Sequence, residues 1–172
     1  MPNEASPSSG KINARPNVTF SPESASAIKL TAVSQYWLHY RLQEDWGYGR
    51  IAEKSRAESI EEMNHADRLI TRIIFLEGHP NLQKLDPLRI GQNLRETMEC
   101  DLAGEHDART LYIEARKHCG ALGDFVSSAL FDSLISDEEA HIDFLETHLG
   151  LYDRLGEAQY GHLTAKPADQ AE

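Results

Sequence analysis

Glycine and proline cut this chain into four long stretches with apolar residues at helical spacing, and that punctuation limits the fold more than any other feature. Ser21-Pro22-Glu23 reads as a helix start. Serine caps orphan amides, proline suits the first helical position, and glutamate favours the positive end of the dipole. The first predicted helix carries Leu30, Val33, Trp37 and Tyr40 and runs to Trp46, before Gly47 and Gly49 loosen the turn. The second runs from Tyr48 to Glu77, with Ile51, Ile60, Met63, Leu69, Ile70, Ile73 and Ile74 on its apolar face, and Gly78-His79-Pro80 stops it. The third spans Gln92 to Cys119, Gly120 and Gly123 mark a corner, and the fourth spans Asp124 to Leu149. A short fifth helix is predicted over Tyr152 to Tyr160.

The stretch from Asn81 to Gly91 has little periodicity and is long for a helix hairpin, so it is predicted to cross the length of a bundle. The expected fold is all-α: a four-helix bundle with a long crossover between helices 2 and 3 and a short C-terminal helix. Residues 1–20 read as a flexible arm rich in Pro, Ser, Asn and Gly, 21–161 as the bundle, and 162–172 as a flexible tail.

A chain of 172 residues suffices for one domain with a real core. Its 28 acidic against 17 basic residues give a formal net charge of -11, which disfavours nucleic acid and favours cations as partners. No apolar run approaches the roughly 20 residues needed to cross a bilayer, and no basic-then-apolar leader opens the chain, so neither membrane insertion nor export is expected. Cys100 and Cys119 fall on one predicted helix, about 28 Å apart at ~1.5 Å per residue, beyond disulfide reach. Reduced thiols fit a cytoplasmic location.

Glu62-Met63-Asn64-His65 and Glu138-Glu139-Ala140-His141 are both Glu-x-x-His, on the second and fourth predicted helices. Spacing of three puts both ligands of each pair on one face. Mixed carboxylate and imidazole donors suit iron, because carboxylates tolerate Fe(III) and bridge two metals while imidazole binds Fe(II). The paired motif is the di-iron carboxylate signature of helical bundles, which add a glutamate from each remaining helix. On the third helix that glutamate is Glu105, among small and apolar neighbours. A metal-free interaction bundle is a more distant reading from another class.

These motifs sit in longer runs: Gln35-Tyr36-Trp37-Leu38-His39, Glu58 through Arg68, Phe75 through Gln83, and Asp137 through Asp143. From Ile28 to Tyr160 the chain resembles the bacterioferritins. The resemblance implies a ferritin-like bundle and a cytoplasmic shell of twenty-four subunits. It also implies oxidation of Fe(II) by O2 at an intrasubunit di-iron site, with mineral stored inside. It further implies haem b between paired subunits, held by one methionine from each, and Met63 falls at that place. A methionine pair is soft and neutral, favouring reduced haem. Tyr36 is expected to border the metals, Glu58 and Glu61 to face the interior as transient iron ligands, and Asp45, Glu77 and Asp143 to line a pore.

One residue departs from the family. Its first-helix glutamate ligand falls at Lys29. A charged ammonium has three donors and no lone pair, so it cannot ligate iron. The second metal position, from Glu62, Glu105, Glu138 and His141, keeps its set; the first retains only His65 and the two bridging glutamates. Three outcomes follow. Lys29 takes the charge of one metal and the subunit oxidises iron through a weakened site, or the site is dead and the subunit is a haem-bearing member of a mixed shell, or Lys29 snorkels out of the bundle. Glu23 lies on the wrong side of the helix to replace it.

Overall fold

The computed structural model describes residues 22–80, 82 and 85–167, the side chains of 22–28 excepted. The N-terminal arm, the cap expected at Ser21, the Glu23 side chain and the last five tail residues lie outside the described residues. Helices α1 (Pro22–Asp45), α2 (Gly49–Phe75), α3 (Leu94–Ala121), α4 (Phe125–Leu155) and α5 (Glu157–Thr164) make up the regular structure.

Side-chain pairs fix the helix directions. Ser59 and Ser55 of α2 meet Val33 and Gln43 of α1, so the two run antiparallel. Gln35 and Gln43 of α1 meet Asp101 and Thr97 of α3, again antiparallel. Arg109 and Arg116 of α3 reach Glu139 and Asp132 of α4 in the same sense. Helices α2 and α3 are therefore parallel, which a short hairpin cannot connect and residues 76–93 must bridge. That segment runs beside α1: the amides of Asp86, Arg89 and Gly91 donate to Thr31 Oγ1, Gln35 Oε1 and His39 Nε2, at 2.9, 2.9 and 3.2 Å. Thr31, Gln35 and His39 stand four residues apart on one stripe, so a single helix face satisfies backbone amides of the crossover, whose described residues form no sheet or helix.

The inward face of α1 is consequently polar. Lys29, Thr31, Gln35, His39 and Gln43 are buried there, whereas Trp37, expected on an apolar inner face, is exposed. On α2 the expected apolar set divides: Ile51, Leu69 and Ile73 are buried, while Ile60, Met63 and Ile74 face out. Two apolar clusters remain inside. One gathers Leu69, Ala108, Tyr112, Phe131 and Leu134, the other Ile51, Leu94, Met98, Leu145 and Tyr160. The two lie toward opposite ends of the bundle, with a polar layer between them.

Helix ends follow backbone geometry. Glu77, at φ 63, takes the left-handed position after α2, and the amides of Glu77 and Gly78 bond Ile74 and Ile73 carbonyls at 2.9 Å. The stop therefore falls one residue before the glycine; a Cβ on Gly78 would come 2.8 Å from Ile73 Cγ2. Gly150 does not end α4. The helix continues to Leu155 and breaks at Gly156, φ 74, so the short last helix is Glu157–Thr164 and not Tyr152–Tyr160. It continues past the expected tail boundary at 162 because Thr164 is buried and Lys166 pairs with Glu53 at 3.0 Å.

Candidate metal centre

Lys29 and Tyr36 from α1, Glu58, Glu62 and His65 from α2, Glu105 from α3, and Glu138 and His141 from α4 are all buried in the polar layer. Helical spacing explains their convergence. Residues three or seven apart share a face, and the antiparallel directions of α2 and α4 set their two Glu-x-x-His motifs opposite one another. The His65 and His141 rings stack with centroids 6.3 Å apart and planes at 20°.

Both imidazoles present Nδ1 to the centre. His141 Nδ1 is 3.5 Å from Glu105 Oε1 and 3.8 Å from Glu62 Oε1; His65 Nδ1 is 3.6 Å from Glu138 Oε1 and 3.8 Å from Glu62 Oε1. Neither Nδ1, nor Glu138 Oε2, nor Glu62 Oε1 has a hydrogen-bond partner among the described residues. Buried donors without partners are costly unless something fills the space between them. One donor atom from each of Glu62, Glu105, Glu138 and His141 lies within 4.8 Å of the others, an arrangement that can hold one cation.

The position beside this cluster is taken. Lys29 is fully buried, with Nζ 2.5 Å from Glu62 Oε2 and 2.7 Å from Glu138 Oε1. The snorkelling expectation is overturned, because the ammonium finds two carboxylates inside and none of its stem reaches solvent. Burial pulls its pKa down, but Glu62 foremost, then Tyr112, Glu138 and Glu105, outweigh burial and hold the ammonium above the ordinary lysine range. Its Nζ also stands 5.4 Å from the Tyr112 ring centroid.

Burial pushes Glu62 and Glu138 up, with Lys29 opposing. Glu105 goes the other way: the neighbouring Glu138 and His141, and then the Lys29 charge, outweigh burial and hold it below the ordinary carboxylate range. Glu138 touches an ammonium and is still raised. Burial first, and then the neighbouring Glu105 and Glu62, outweigh the ammonium there. Tyr36 donates to Glu105 Oε1 at 2.5 Å, and burial followed by that negative neighbour pushes its phenol well up.

Outside the centre, His141 Nε2 meets Glu58 Oε2 at 2.6 Å and Glu61 Oε2 at 3.6 Å, and His65 Nε2 meets Asp137 Oδ2 at 3.3 Å. Such carboxylates orient metal-ligating imidazoles. Asp137 carried no expectation of its own, although it stands immediately before Glu138. Burial pulls the His65 pKa down to about 4, with the Lys29 and His141 charges adding to it. Its imidazole is therefore neutral near pH 7. His39, given no chemistry from sequence, holds Asp101 through Nδ1 at 2.8 Å while Nε2 accepts from Gly91. A cavity of about 390 Å³ between α1, α3 and the crossover reaches Lys29, Tyr36 and Glu105. Asp45 and Glu77, expected at a pore, sit at opposite ends of the α1–α2 hairpin and do not converge within one chain.

Four helices, a crossover between the second and third, and a carboxylate–imidazole layer between two apolar clusters define a ferritin-like bundle. The profile of the Ferritin family, described as a ferritin-like domain, matches residues 24–155. The bacterioferritin of Rhodobacter capsulatus is 67% identical over 144 residues, covering 84% of this chain and 89% of that one. The bacterioferritin of Brucella melitensis is 59% identical over 161 residues, covering 94% and 100%. A solved structure of the Rhodobacter capsulatus protein, described as having a metal-free dinuclear site and a haem iron in a crystallographic special position, superposes with a TM-score of 0.85 at 64% identity. It covers 87% of this chain and 94% of that chain. This chain belongs to the bacterioferritins.

Proposed function

We propose that the chain is an iron-storage subunit of a hollow, cytoplasmic shell of twenty-four subunits. In this reading Met63 holds haem b between paired copies, and the di-iron site is reduced to one competent position made by Glu62, Glu105, Glu138 and His141. The observation that carries it is Lys29 Nζ at 2.5 and 2.7 Å from the two glutamates that would otherwise bridge a metal pair. One unit of positive charge already stands where the first metal would neutralise Glu62. A cation at the remaining position meets three carboxylates and the His141 imidazole, a mixed oxygen–nitrogen donor set that suits Fe(II).

Fe(II) and O2 are the substrates, and the cavity beneath the crossover supplies a route to Glu105 and Tyr36. Burial holds Glu62 and Glu138 above the ordinary carboxylate range, so cation binding at the cluster would release a proton held on either. Tyr36 orients Glu105. Haem would supply electron transfer. Met63 suits it because its thioether is on the surface, 48% exposed, beside exposed Ile60 on the same helix. An iron on a symmetry element takes equivalent ligands from two copies, which agrees with the special position described for the Rhodobacter capsulatus haem. Among the described residues no helix is long and apolar enough to cross a membrane.

Anaerobic Fe(II) titration of the demetallated shell, followed by O2, tests this. One iron at the buried cluster with slow oxidation supports it. Two irons there with fast oxidation would mean that Lys29 moves aside. No iron in the cluster would favour the second reading, which the same lysine geometry motivates: a ferroxidase-inactive, haem-bearing accessory that shares a mixed shell with a competent second subunit.

A further inference from the structure

Arg56, Ile60 and Met63 stand at i, i+4 and i+7 on α2, so they form one stripe on the outer face of the helix, and all three are exposed. Trp37 of α1 flanks that stripe, with the Arg56 guanidinium over its ring at 6.0 Å. Arg56 differs from most arginines of the bundle. Arg41, Arg72, Arg89, Arg95, Arg109 and Arg116 each pair with a carboxylate of the same chain. Among the described residues no carboxylate lies within ion-pair reach of Arg56, and its neighbour on that face is the indole. Seven residues at ~1.5 Å each put its Cα about 10 Å along the helix from that of Met63.

The order along this stripe is that of a haem read from its centre to its edge: a soft ligand for iron, an apolar surface for the ring, and a planar cation for a carboxylate. We infer that each Arg56 binds one carboxylate of haem, anchoring the edge of the cofactor whose iron Met63 holds. The inference rests on the haem reading of Met63 above. Haem carries two carboxylates on one edge. An iron on a symmetry element between two copies receives two Met63 side chains and, with them, two Arg56 side chains, so donors and acceptors match in number. Contact between copies through Trp37, Ile60 and Met63 would otherwise enclose a guanidinium without a counter-charge, which is costly. A carboxylate supplies that charge, and the guanidinium fork meets its two oxygens with parallel hydrogen bonds, which a lysine cannot do.

The test titrates haem and haem dimethyl ester, separately, into the haem-free shell and follows the two-methionine absorbance. The ester keeps the ring and the iron but carries no carboxylate charge. The parent should prefer haem about tenfold, the combined effect of two partly exposed pairs. Arg56→Gln should bind the two porphyrins alike, with the parent's affinity for the ester, and Arg56→Lys should recover part of the preference because it keeps the charge and loses the fork. An Arg56→Gln shell that still prefers haem tenfold overturns the inference. Equal weakening of both porphyrins in that variant also overturns it, and assigns Arg56 to a carboxylate of the second copy. Met63→Leu distinguishes this failure from failure of the haem reading: it should lose haem and ester together. Retention of both would remove Met63, whereas their loss, with the preference intact in Arg56→Gln, would keep Met63 and remove Arg56 alone.

Discussion

An ammonium can pair with two carboxylates but cannot ligate iron, and Lys29 meets Glu62 and Glu138 on those terms. Lys29→Glu should therefore have two opposite effects. With metal, the iron held at the buried centre should rise from one to two per subunit and oxidation should accelerate; without metal, a further buried carboxylate replaces the ammonium that holds Glu62 and Glu138, and stability should fall by roughly 3–5 kcal/mol. Thermal melts of the apo and Zn(II)-loaded variant measure both, and the loss should be recovered on loading. Failure of the variant to bind more iron or to oxidise faster would end the case for Lys29 as a displaced ligand. His65 provides a second prediction at this scale. Its folded pKa, lowered to about 4 first by burial and then by Lys29 and His141, lies below the ordinary 6.5. Between these values the unfolded chain binds the proton that the folded one refuses, so stability is complete above pH 6.5 and declines as pH falls toward 4, by at most roughly 3 kcal/mol. Urea midpoints across that range should slope accordingly, and His65→Gln should flatten the slope.

The described residues of the crossover are held by side chains of α1, and the segment packs tightly at Gly91. A Cβ there would fall 2.2 Å from the Thr97 amide nitrogen and 2.5 Å from the Glu96 carbonyl carbon, both backbone atoms of the first turn of α3. Gly91→Ala should destabilise by about 2 kcal/mol or more, lowering the melting temperature by roughly 5 °C or more, with the helix content otherwise retained. Sequence spacing made the four long helices and the crossover legible because apolar period, capping residues and glycine corners agree at those places. It misjudged α1 for a physical reason. Periodicity assumes that apolar means inward, but the inward stripe of Thr31, Gln35, His39 and Gln43 serves the crossover and buried polar partners, and Trp37 is left outside. Glycines at 150 and 156 look alike in sequence. Only the second takes a positive φ, because only there does the chain turn, and a glycine within a helix costs about 1 kcal/mol without ending it. The two Glu-x-x-His pairs and Glu105 were readable from spacing and converge as expected, whereas Asp137 reaches His65 through a register between α2 and α4 that no local pattern encodes.

In a single chain the α1–α2 hairpin presents Trp37 and Ile60, each 46% exposed, and Met63, 48% exposed, with the Arg56 guanidinium over the Trp37 ring at 6.0 Å. Large apolar side chains on an outer helical face mark a contact between copies, and the symmetric copy is the partner for which the proposed haem arrangement calls. Within that contact the thioether and the apolar surface have separable roles. Met63→Leu keeps nearly the same volume and apolar area but removes the sulfur, so paired subunits should still bury the face while the haem loses both axial ligands at once. The variant shell should elute at the parent's size and melt within a few degrees of it, with stoichiometric haem reduced to none and the low-spin two-methionine spectrum gone. Retention of full haem would remove Met63 from the site, whereas loss of assembly together with haem would mean that the cofactor itself cements the pair. Ile60→Asp separates these cases: it places a charge in the apolar contact without touching the sulfur, and should split the paired subunits whether or not haem is supplied.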